Sequence, residues 1–304
     1  MSIAPSGAQY EISHADQHAT VVEVGGGIRQ YSRSGREVLN PYPEDAICDG
    51  AHGSPLIPWP NRLADGRYDF DGSSFQVALT EPTKGNAIHG FLRWRSWQAV
   101  EHTASSVTMA TTLHPLSGYP FALAVEIRYS LGETGLVVTT KATNVGDRAL
   151  PYGSGQHPYL SPGTGRIDDC ELTLAAATRI TTDEERQLPD GREAVAGTPY
   201  DFRTGRRLGR LAIDFAFTDL SRDESGRAWV RLRGGDGRTA QLWVDESYPL
   251  VELYTADTLA PERRRSGLGA EPMTCPPNAF ASGEGVIRLE PGAETVSSWG
   301  ASLA

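Results

Sequence analysis

Cysteine is scarce in this chain and never clustered. Among 304 residues only Cys48, Cys170 and Cys275 carry thiols. An odd number excludes a complete disulfide framework, and the wide spacing is no zinc signature. The three read as reduced thiols of a cytoplasmic protein. Long apolar runs are missing too. No stretch approaches the ~20 apolar residues of a membrane helix. Met1 to Tyr10 lacks the basic region and apolar run of a signal peptide. Basic charge is in deficit, with 28 Lys and Arg against 38 Asp and Glu and a net charge of −10. A negative surface repels nucleic acid and anionic lipid, so neither is an expected partner. There is no P-loop, no GxGxxG following a strand and no tight His/Cys cluster, so neither a nucleotide cofactor nor a metal is expected.

Helical periodicity is also absent. What is present instead is short alternation of apolar and polar residues, punctuated by 33 glycines and 20 prolines. Arg67 to Val77 reads as a hairpin turning at Asp71-Gly72. Val107 to Leu113, Leu123 to Leu131 and Leu136 to Val145 read as strands, the last two joined by Gly132 to Gly135. Cys170 to Ile180 alternates as one strand, and Trp229 to Leu232 and Ala240 to Val244 flank a turn at Gly234 to Arg238. Leu250 to Tyr254, Val286 to Leu289 and Glu294 to Gly300 complete the set. Many short strands with turn signals imply an all-β fold, a large β-sandwich or barrel. No linker and no fixed-period repeat divides the chain, so one domain spanning residues 1–304 is expected. The run Arg263-Arg264-Arg265 reads as a solvated loop.

Several polar residues stand in settings that suit chemistry. His157, in GSGQHPYL, follows glycines that let backbone approach a ligand and precedes a proline that stiffens the chain. Its imidazole suits proton transfer. His89 sits beside Gly90 in NAIHG. Glu271, in GAEPMTCPPNA, precedes a proline and has small or apolar neighbours. A carboxylate so placed is desolvated and becomes a stronger base. Trp59 to Arg62 joins an aromatic face, an amide and a guanidinium, a set able to stack on a sugar and bind its hydroxyls. Asp214 lies among apolar residues and needs partners if buried. Taken alone, His157 and His89 read better as loop or turn residues, and each of the others also reads as a loop, turn or edge residue.

Taken in order they are more specific. WPNR followed by ADGRYDFDG, then NAIHGF, GQHPYL, IDFAFTDL, EPMTCPPNAF and a closing LEPGAE resemble the aldose 1-epimerase (galactose mutarotase-like) family from about Val21 to Trp299. The resemblance implies a galactose mutarotase-like supersandwich and interconversion of the α and β anomers of an aldose without cofactor or metal. It implies that His157 protonates the ring oxygen and that Glu271 takes the anomeric hydroxyl proton. It further implies that His89, Asp214 and Arg62 bind the sugar, with Asn61 structural. Leu160-Ser161 and Gly90-Phe91 depart from the family's usual HPYFN and double glycine, and are expected at the pocket rim.

Ring opening needs a proton removed from the C1 hydroxyl and another given to the ring oxygen, which a carboxylate and a histidinium supply. The nearest alternative is a hexose-6-phosphate 1-epimerase, which needs arginines at the pocket rim. Arg93 and Arg95 are candidates, but FLRWRSW reads as an alternating strand that turns both outward. A non-catalytic carbohydrate-binding protein needs neither His157 nor Glu271. A hydrolase built on the Asp214 and Glu271 carboxylates leaves the two histidines idle. Exposed sheet edges are compatible with a monomer or a homodimer.

Overall fold

A computed structural model describes residues 3–163 and 165–304 of the protein. Strands dominate. Among the described residues, helix is confined to the single turn Ala279–Ser282 and three short 3-10 turns. The strands form a twelve-stranded and a nine-stranded sheet, with three two-stranded ribbons beside them. This is the large all-β sandwich that the alternating pattern predicts.

The alternation builds the core directly, because side chains along a strand point to opposite faces in turn. Leu123–Gly132 and Gly135–Asn144 are consecutive strands of the nine-stranded sheet. They bury Val125, Ile127 and Tyr129 from one and Leu136, Val138 and Ala142 from the other. These residues share one continuous apolar cluster with Ile12, Val21, Tyr31 and Val38 of the twelve-stranded sheet, so the two sheets pack face to face. Each fully buried aliphatic side chain contributes roughly 1.5–3 kcal/mol.

Three adjacent strands near the middle of the larger sheet organise everything that follows: Asp214–Leu220, Leu250–Tyr254 and Leu268–Met273. Phe217, Val251, Leu253, Leu268 and Ala270 point into the shared core. By the two-residue period, Asp214, Glu252, Tyr254, Gly269 and Glu271 occupy the opposite face. That face is not open to water, since every residue of Leu250–Tyr254 and Leu268–Met273 is buried. Apolar Ile180, Ala216, Leu250 and Met273 close one part of it, and connecting segments cover the rest.

Three expectations are corrected. Cys170 to Ile180 is two strands in different sheets, Glu171–Leu174 in the smaller and Ala176–Thr182 in the larger. The chain crosses between layers at Ala175, and period-two alternation on either side hides the break. Leu92–Trp94 is a 3-10 turn rather than a strand, closed by the N–H of Arg95 donating to the Leu92 carbonyl. The triple arginine is no solvated run. Arg265 is buried, with Nε 3.1 Å from Asp168 and Nη1 3.0 Å from Asp257. Arg263 donates to Asp49 at 3.3 Å, and Arg264 alone is exposed.

Candidate active site

His157 and Glu271 meet because two short strands converge on a third. Gly155–Gln156 and Tyr159–Leu160 both pair with Leu268–Met273, leaving His157 at the junction between them. Gly155 is required there, because a Cβ at that position would stand 2.7 Å from the Pro272 carbonyl. The His157 backbone is held at both ends. Its N–H donates to Ser54 and its carbonyl accepts from Gly53. Its ring stacks on Tyr159 with centroids 4.9 Å apart. Nε2 then lies 3.1 Å from Oε1 of Glu271. Both side chains are almost wholly buried, and His157 Nδ1 and Glu271 Oε2 have no hydrogen-bond partner in the protein.

His89 and Arg62 arrive together from a second direction. The ribbon Arg62–Ala64 pairs with Asn86–Ile88, which sets Arg62 opposite Ile88. Asn61 and His89, just outside this ribbon, both adopt left-handed backbone at φ 55 and 64. Gly90 follows at φ 63, where a Cβ would fall 2.0 Å from the Ile57 carbonyl oxygen, so only glycine fits. The His89 N–H donates to the Asn61 carbonyl at 2.9 Å, and the Asn61 N–H donates to Nδ1 of His89 at 3.2 Å. The His89 ring stands edge-on to His157 at 5.4 Å.

Arg62 is clamped by Glu81, with Nε 3.0 Å and Nη2 3.2 Å from its carboxylate oxygens. Its Nη2 also lies 3.7 Å from Asp214. Asp214 accepts a 2.6 Å hydrogen bond from Gln187, so its carboxylate has the partners its burial demands.

All five residues expected at the site line one cavity of about 390 Å³: Arg62, His89, His157, Asp214 and Glu271. Asn61, Glu81, Lys84, Arg93, Gln187 and Tyr254 line it as well. The expectation that Asn61 is purely structural is therefore too narrow. Arg93 faces the cavity once its segment turns as a 3-10 helix, whereas Arg95 is exposed and outside it. Trp59 does not reach the cavity. It is buried edge-on to Phe91 at 4.9 Å and tilted on Phe280 at 5.5 Å, so it is core rather than a stacking platform. Nor do the family departures form a rim: Leu160 and Ser161 are buried, and Phe91 packs on Trp59 and Tyr119, away from the cavity.

Burial governs the ionisation of the pair. It pushes the Glu271 carboxyl well above the usual carboxylate range, and the neighbouring Glu252 and Asp214 carboxyls push it further. Burial also lowers the His157 imidazole to about 3, with His52 adding to the effect. Both shifts favour the uncharged forms, a carboxyl and an imidazole, over the carboxylate and histidinium that ring opening draws on. The two descriptions differ by one proton moved across 3.1 Å.

His89, His157 and Glu271 each place one donor atom within 4.8 Å of the others, close enough to suggest a metal triad. The chemistry of the set argues otherwise. Nδ1 of His89 accepts a hydrogen bond, so the neutral ring carries its proton on Nε2 and offers a donor rather than a lone pair. Such a cavity, with an acid–base pair, a fixed N–H and an arginine–carboxylate cluster, fits a polyhydroxylated ligand.

Comparison with known proteins places the chain in a family. The chain is 34% identical over 288 residues to the uncharacterized protein YihR of Escherichia coli K12, covering 94% of this chain and 90% of that one. It is 29% identical over 216 residues to human galactose mutarotase, covering 66% of this chain and 60% of the other. The fold superposes on a GalM/aldose epimerase homologue from C. elegans with a TM-score of 0.86 at 18% identity, covering 98% of both chains. It superposes on galactose 1-epimerase from Lactobacillus acidophilus NCFM at 0.78 and 22% identity, covering 96% of this chain and 92% of that one. The sequence model of the family described as aldose 1-epimerase matches residues 8–300, and the chain belongs to that family.

Proposed function

We propose that the protein is an aldose 1-epimerase that interconverts the α and β anomers of a free aldose. The observation that carries this reading is the buried contact of His157 Nε2 with Glu271 Oε1, 3.1 Å apart on the cavity wall. Opening a hemiacetal requires that O1 lose a proton as the ring oxygen gains one. These two oxygens share one carbon, so an acid and a base side by side can serve both. Glu271, once ionised, is the base for the C1 hydroxyl. Its buried setting makes it a stronger base than an ordinary glutamate, and a base gains efficiency as its pKa rises toward the operating pH. His157 takes the proton that Glu271 releases and gives it to the ring oxygen. After rotation about C1–C2 the transfers run in reverse, and the proton held between the two groups is restored. His89 donates its Nε2–H to the sugar, while Arg62 and Asp214 hold hydroxyls from the far wall.

Polarimetry with Glu271→Gln tests the reading. The variant keeps the fold and loses most of the anomer interconversion above the spontaneous rate. Wild-type turnover in this variant removes the assignment.

One observation favours a second reading in which the sugar bears an anionic group, as in a hexose 6-phosphate. Arg93 lines the cavity, and among the described residues it has no carboxylate partner. Its guanidinium lies over the exposed Trp94 ring at 5.1 Å. A half-buried guanidinium without a counter-ion suits a phosphate-like oxyanion. Comparing kcat/KM for glucose, galactose and glucose 6-phosphate separates the readings, and Arg93→Ala weakens only the charged substrate.

A further inference from the structure

Glu252 is absent from the cavity wall, yet it is 1% exposed and its Oε2 has no hydrogen-bond partner. A buried carboxyl without full hydrogen bonding is unfavourable, most of all when charged, so it is held in its neutral form. Its position is specific. Glu252 and Glu271 are direct partners across the antiparallel strands Leu250–Tyr254 and Leu268–Met273. Directly opposed residues on one face place their Cβ atoms roughly 5 Å apart, which brings two glutamate carboxyls within reach of each other. On the other side Glu252 is opposite Ala216, a side chain too small to separate it from Asp214, two residues away.

The charges facing Glu252 can be named from each element around it. Glu271 stands on one neighbouring strand and Asp214 on the other. Arg62 and Asn61 come from the segment that covers it. Arg62 is the cation of this group, and Glu81 already occupies it through two hydrogen bonds of 3.0 and 3.2 Å. Glu252 forms no ion pair among the described residues, and the partner of Glu271 is His157. Two adjacent carboxyls without a free cation cannot both ionise readily, so they titrate as a unit.

We propose that Glu252 is a positioning residue for this chemistry: it stands in register behind Glu271 as the second carboxyl of a two-carboxyl unit and fixes the charge the first can carry. The inference rests on the acid–base reading of Glu271 given above. Glu252 acts through Glu271, which keeps its proton to higher pH and is the stronger base when it yields it. The burial shift on Glu252 itself runs in the same direction, raised well above the usual carboxylate range with Asp214 adding to it.

The test is a titration followed by 13C NMR of the glutamate side-chain carboxyl carbons in wild type and Glu252→Gln. Glutamine keeps the shape while removing the titrating group. The Glu271 step is expected about one pH unit lower in the variant. An unmoved step overturns the proposal. Should the amide perturb folding, Glu252→Met, similar in length and apolar, gives the same reading of the Glu271 step. The rate profile adds a second readout. The alkaline limb of kcat/KM moves down with the Glu271 step while KM stays put, and a raised KM with an unmoved limb likewise overturns the proposal. Anomerase activity surviving Glu271→Gln defeats the acid–base reading instead, and the NMR titration remains decisive for Glu252 in that case.

Discussion

The backbone N–H of Asn61 donates to Nδ1 of His89 at 3.2 Å, and this one bond settles which way the His89 ring presents its proton. A neutral imidazole that accepts at Nδ1 donates at Nε2. Burial and the adjacent His157 hold the ring neutral, well below the ordinary histidine range. Under the proposed function, His89 therefore serves as a donor to the sugar and not as a proton carrier. His89→Asn removes the reach of the donor and tolerates the left-handed backbone at φ 64. It is expected to raise KM about tenfold, the worth of roughly one hydrogen bond, with kcat much less affected. His89→Val meets the same backbone with a β-branched residue and is expected to lose roughly 1–3 kcal/mol of stability as well. Steady-state kinetics and urea unfolding of the two variants check both outcomes. An unchanged KM in His89→Asn contradicts the donor role.

How much of this was readable beforehand depends on the range of the physics. The strands Leu250–Tyr254 and Glu294–Leu303 announce themselves through local alternation and turn residues. His157 and Glu271 stand out because glycine and proline mark the backbone around them. Glu252 does not, since in LVELY it reads as the polar, outward member of a half-exposed strand. The segment at Asn61 and Arg62 that stands against it lies far away in sequence. Glu81 and Gln187 come from segments with no motif, and their place at the cavity is a matter of chain path alone. Trp59 shows the converse failure: a sugar-stacking motif and a core aromatic look identical until Phe91 and Phe280 are seen against it.

Acid stability follows from His52, which lies behind the site in a stack of rings. His52 stacks on Tyr159 at 3.7 Å and 6°, and Tyr159 stacks in turn on His157. Its Nδ1 is 2.9 Å from the Asp49 carbonyl oxygen, so Nδ1–H donates there, and Nε2 accepts from Arg263 at 3.2 Å. Adding a proton at Nε2 sets two donors against each other, and burial drives the pKa down to about 4 from 6.5. The folded protein binds this proton less readily than the unfolded chain. The stability it supports is complete above pH 6.5 and drains away as the pH falls toward 4. His52→Asn is expected to flatten the fall across that window by up to about 1.4 kcal/mol per pH unit, one proton's worth. Urea unfolding at intervals from pH 4 to 7 measures it. Parallel curves for variant and wild type contradict the assignment.

The closeness of His157 and Glu271 makes a prediction about how their losses combine. If one proton serves both groups across 3.1 Å, neither group retains its function alone. Glu271→Gln leaves no base to deliver the proton, and His157→Ala leaves nothing to carry it to the ring oxygen. Removing the second member after the first then costs little, because residues that act as a unit are strongly non-additive. The double variant is expected to match the slower single variant within a few fold, whereas independent contributions multiply. Its residual rate over spontaneous anomerisation reports what His89, Arg62 and Asp214 contribute by holding the sugar. Saturation-transfer NMR on the two single variants and the double variant yields the coupling directly. A double variant slower by the product of the two separate losses shows that the acid and the base work apart, and that the 3.1 Å contact belongs to the resting enzyme alone.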